Sequence, residues 1–67
     1  IDPIELMWHR DDEDRVVEIL EPGQGWQLQF DNELPWDLEP KMSICILRHE
    51  WHRVIKGTGT LRLKIHK

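Results

Sequence analysis

Along much of the chain, apolar and polar side chains alternate with a period of two, the spacing of a strand with one buried face. Trp26, Leu28 and Phe30 alternate with Gln27 and Gln29, and Leu61, Leu63 and Ile65 alternate with Arg62, Lys64 and His66. Ile4, Leu6 and Trp8 share one face of a shorter segment, which predicts a first strand over residues 4–8. Residues 15–20 and 43–48 are apolar on both faces, the pattern of strands covered on both sides. The second of these is the most apolar and is expected to lie centrally. Residues 51–56 complete a set of five or six strands.

Turn residues punctuate the same pattern. Pro22-Gly23-Gln24-Gly25 predicts a hairpin joining residues 15–20 to 26–30. His49-Glu50 and Gly57-Thr58-Gly59 predict two more turns, which would make the last three strands a meander, and both glycines of the latter are free to take positive φ. Asp11 to Asp14 are four adjacent acids, which repel one another and favour a hydrated loop. They lack the glycine and closing glutamate of a calcium loop. Asp31 to Lys41 holds Pro35 and Pro40, each without a backbone donor. It is expected to cross between sheet halves, pinned by Leu34, Trp36 or Leu38. No amphipathic helix, internal repeat or domain boundary is evident. The expectation is a single all-β domain over residues 1–67, a small barrel or sandwich of five to six short antiparallel strands, SH3-like or OB-like.

Size sharpens this. A chain of 67 residues buries only roughly 60% of the surface it exposes when unfolded, so a disulfide, metal or partner subunit usually reinforces such a domain. Cys45 is the only cysteine, which excludes a disulfide within the chain. Its isoleucine neighbours predict a buried, unreactive thiol. A lone reduced cysteine fits a cytoplasmic setting. The four tryptophans can each bury roughly 150–250 Å², and Trp8 and Trp26 are expected in the core. No apolar run is long enough to span a bilayer, so no membrane partner is expected. Ile1 is no initiator; Met7 is a plausible start, with residues 1–6 then extraneous.

The net charge of −4 conceals a polarity. Residues 1–40 carry twelve acids against Arg10 and Arg15, a net of −10, and residues 41–67 carry seven bases against Glu50, a net of +6. Either the second half presents a basic face, or acidic and basic strands pair across one sheet and neutralise each other.

Candidate chemistry is sparse. Two imidazoles three residues apart, His49 and His52, suggest a metal-dependent site completed by a carboxylate, with His9 and His66 near the chain ends as further donors. Paired carboxylates need one buried member, for which Asp37 beside Trp36 is the best placed. Ser43 lacks a nucleophile-elbow setting. Gly57-x-Gly59 is too short for a phosphate loop and leads from strand to strand. The leading expectation is therefore a non-catalytic interaction module that needs no cofactor and docks to a protein partner or self-associates. Trp36, Trp51 and Arg53 are the expected contacts, with Arg62 and Lys64 as a charged rim. The alternative partner is single-stranded nucleic acid, bound by Trp51, Arg48, Arg53, Arg62 and Lys64.

Overall fold

In the computed structural model, which describes residues 3–66, a 3-10 turn at Pro3–Leu6 precedes six strands. These are β1 (Arg15–Glu21), β2 (Gln27–Phe30), β3 (Trp36–Asp37), β4 (Ser43–Ile46), β5 (His52–Ile55) and β6 (Arg62–His66). They form two three-stranded antiparallel sheets, ordered β4-β1-β6 and β3-β2-β5. The domain is all-β, as the alternation predicts, but the sheets do not close into a barrel. Among the described residues no helix is long and apolar enough to cross a membrane.

The two sheets share one interior. Val17 and Ile19 of β1 and Ile44 and Ile46 of β4 meet Leu28 and Phe30 of β2 and Val54 of β5, with Trp26 and Leu38 filling in from the loops. Side chains of this kind each contribute roughly 1.5–3 kcal/mol when fully buried. Trp26 is in the core as expected, and Leu38 is the residue that pins the crossover; Leu34 is 84% exposed.

Several expectations are overturned. Residues 4–8 are not a strand. Pro3 presets φ for a helical turn, and the Met7 N–H donates to the Ile4 carbonyl at 3.1 Å to close it. Trp8 consequently lies outside the core, 41% exposed. Next, β1 and β2 do not form a hairpin, because the Pro22–Gly25 turn directs its hydrogen bonds elsewhere. Gly23 and Gly25 take positive φ, and Gln24 exchanges backbone hydrogen bonds with Thr58 at 2.9 and 2.7 Å. The two glycine turns thus clasp each other, and the chain changes sheets at the clasp. Nor are the last three strands a meander, since β5 joins β2 while β6 pairs with β1. Finally, β1 rather than β4 is central in its sheet. Ser43 and Cys45 form the outward side of edge strand β4, so the Cys45 thiol is exposed.

Charge follows topology. β1 from the acidic half lies beside β6 from the basic half. Glu18 sits opposite Lys64, Arg62 donates to Glu21 at 2.8 Å, and His66 approaches Glu18 at 3.2 Å. Part of the polarity along the sequence is therefore offset across one sheet.

Candidate functional site

One tripeptide, Trp-His-Arg, occurs twice in the sequence, at residues 8–10 and 51–53. The fold lays the two copies side by side, antiparallel, with His9 opposite His52. The His9 N–H donates to the His52 carbonyl at 3.0 Å and the His52 N–H returns the bond at 2.9 Å. Period-two alternation then gives the strip two faces. Both histidines turn inward, while the tryptophans and arginines stand on the outer side.

On that outer side the two copies interlock. The Arg53 guanidinium lies 4.7 Å from the centre of the Trp8 ring, and that of Arg10 lies 5.2 Å from the centre of the Trp51 ring. Each stack contributes about 0.5–1 kcal/mol at an exposed position. Trp8 and Trp51 remain 41% and 43% exposed. Arg53 Nε also donates to Gln29 Oε1 at 2.9 Å, which ties the strip to β2. Among the described residues neither arginine has a carboxylate within ion-pair distance.

The six contact residues expected from the sequence do not share one surface. Trp51 and Arg53 lie together on the outer strip. Trp36 sits opposite Leu28 on the short strand β3, packs edge-on against Phe30 and donates from Nε1 to Glu33 at 3.1 Å. Arg48 occupies the turn before β5, where its backbone N–H donates to Asp14 Oδ1 at 2.8 Å. Arg62 and Lys64 project from the outer face of the other sheet, across the core from Trp51 and Arg53.

The histidine pair read from the sequence separates as well. His49 takes a positive φ at the turn, and its exposed ring lies 3.8 Å from Asp12 on the surface. His52, 2% exposed, is enclosed, and its neighbour is His9, with ring centroids 4.2 Å apart. Glu5, from the 3-10 turn, joins them: one ligating atom from each of Glu5, His9 and His52 lies within 4.8 Å of the others. No such group among the described residues includes His49. The sequence pattern does not single out Glu5, Trp8 or Arg10 as site residues, and it offers His9 only as a donor near one end. The doubled tripeptide is the signal that could have joined them. Comparison with protein-family models, with the curated proteins and with the solved structures finds no match, so the function of this chain has to be argued from the two faces of this strip.

Proposed function

We propose that this chain is a non-catalytic docking domain that binds an acidic segment of a partner protein on the outer face of β2 and β5. The observation that carries this reading is the pair of interlocked arginine–tryptophan stacks, Arg53 on Trp8 and Arg10 on Trp51. Tryptophan and arginine are the commonest interface anchors. A guanidinium already held over a ring loses little further freedom when a carboxylate binds its edge. Among the described residues no carboxylate pairs with Arg10 or Arg53, so an incoming acid displaces no ion pair among them. The lone reduced thiol is compatible with work in the cytoplasm.

The same stacks would accept nucleic-acid bases. That reading is weaker because its cations are divided between opposite sides of the molecule, and Arg62 is already bonded to Glu21.

Selection from displayed random peptides against the immobilised protein tests the proposal, with tryptophan fluorescence to measure binding. Enriched peptides should be acidic. Their affinity should fall at least tenfold in Trp51→Ala and in Arg53→Ala, and should weaken as salt rises from about 0.05 to about 0.5 M. Acidic binders indifferent to both substitutions would overturn the proposal. Tighter quenching by a thymidine oligomer would replace it with the nucleic-acid reading. A dimer in sedimentation that Arg53→Ala disperses would assign the face to a second copy.

A further inference from the structure

From the inner side of the same strip, we infer that Glu5, His9 and His52 form a site for a divalent metal ion of the zinc type, which staples the amino-terminal segment to β5. The argument starts with the ring nitrogens. His9 Nδ1 lies 2.8 Å from the Met7 carbonyl, and His52 Nδ1 lies 2.7 Å from the Glu50 carbonyl, in each case the residue two before the histidine. A carbonyl oxygen only accepts, so both Nδ1 atoms carry hydrogen. With Nδ1 committed in this way, Nε2 is the atom that each ring has left for a ligand.

Those nitrogens face carboxylates. His9 Nε2 lies 3.2 Å from Glu5 Oε2, and His52 Nε2 lies 3.4 Å from Asp11 Oδ2. His9 Nε2 is buried and makes no hydrogen bond despite that short approach. Ring nitrogens set against carboxylates call for positive charge between them. One divalent cation would serve the three grouped donors, Glu5, His9 and His52, at once.

Chemistry and spacing agree with that choice. Metal-binding histidines characteristically commit the other ring nitrogen to a carbonyl or carboxylate, which fixes the tautomer and aims the ring. Donors at zinc bond lengths in a tetrahedron lie roughly 3.3–3.4 Å apart. The 3.2 Å approach of His9 Nε2 to Glu5 matches that edge, and a modest contraction brings in His52, whose ligating atom lies within 4.8 Å of the other two. Asp11 Oδ2 lies 3.4 Å from His52 Nε2 but outside the three-residue group, so a water would complete the tetrahedron. Glu5 and His9 lie on the segment before the acidic loop and His52 lies on β5, so the ion cross-links parts of the chain more than forty residues apart. A metal bound only by the folded chain stabilises it.

The test uses the full chain stripped with a chelator, then titrated with zinc chloride and, for spectroscopy, with cobalt(II). One equivalent should bind, the melting temperature should rise by several degrees, and cobalt should show tetrahedral visible absorption. Glu5→Gln and His9→Gln should each weaken binding at least tenfold, whereas His49→Ala and His66→Ala should leave it unchanged. His52→Ala removes an enclosed side chain and is not needed. Absence of binding at about a hundred micromolar zinc would overturn the inference. So would tight binding that persists in Glu5→Gln and His9→Gln, or that disappears in His49→Ala.

Discussion

Gly57 and Gly59 bracket one turn, yet the fold needs them for different reasons. A β-carbon at position 57 would overlap the carbonyl oxygen of Gln24, the amide nitrogen of Trp26 and the carbonyl carbon of Gly25. These are backbone atoms held by the clasp between the two glycine turns, and none can swing aside. At position 59 there is room, the nearest atom being Gly23 Cα at 3.8 Å, but φ is +74°. Substitution there costs conformational strain alone. Gly57→Ala should therefore destabilise by about 3 kcal/mol or more, and Gly59→Ala by about 1–2 kcal/mol. Urea unfolding of the two variants measures the difference, and equal losses would contradict the clasp. Both glycines suggest a turn when read from the sequence, but only Gly59 uses its freedom of φ. The close approach at Gly57 depends on Gln24 and Trp26 arriving from thirty residues away, which local turn chemistry does not record.

At the scale of strands, which face is buried was legible and which strand lies beside which was not. Leu28 and Phe30 turn inward with Gln27 and Gln29 outward, as their alternation requires. That pattern is carried by side chains. Pairing is carried by backbone hydrogen bonds, which are the same for every sequence, so β1 and β2 look like a hairpin until the Gln24–Thr58 bonds divert the turn. The site shows the same division. His52 is on the buried side of β5 because Trp51 and Arg53 are on the outer side, but its partner His9 follows only from the pairing of distant strips. Cys45 turns this into a measurement. On an edge strand with its side chain outward, the thiol should react with one equivalent of a disulfide reagent in the native protein. Cys45→Ser should change stability by no more than about 0.5 kcal/mol. A thiol that reacts only after unfolding would mean that the outward face of β4 is covered.

Over the whole molecule, the chain moves repeatedly between two sheets that are filled unevenly. Ile19 of β1 and Leu63 of β6 are direct neighbours across the ladder, and both lie on the inner side. Ile19 is 1% exposed, whereas Leu63 is only half-buried. Beneath β6 lies a cleft of about 380 Å³, lined by Leu20, Val54, Leu61, Leu63 and Ile65 together with the charged Glu5 and Arg62. The interior is thus complete under the central strand and open under the edge strand, where Val54 of β5 faces β6 across the cleft. Truncating Ile19 to alanine leaves a void that surrounding side chains must span, at a cost of about 3–4 kcal/mol. Truncating Leu63 enlarges a space that water already reaches, and the loss should be nearer 1–2 kcal/mol. Because the two residues share a rung, strand propensity and backbone pairing largely cancel in the comparison, and the difference reports the cover over each position. Equal costs in denaturant unfolding would mean that the cleft is closed in solution and that the two sheets meet along β6 as fully as they do along β1.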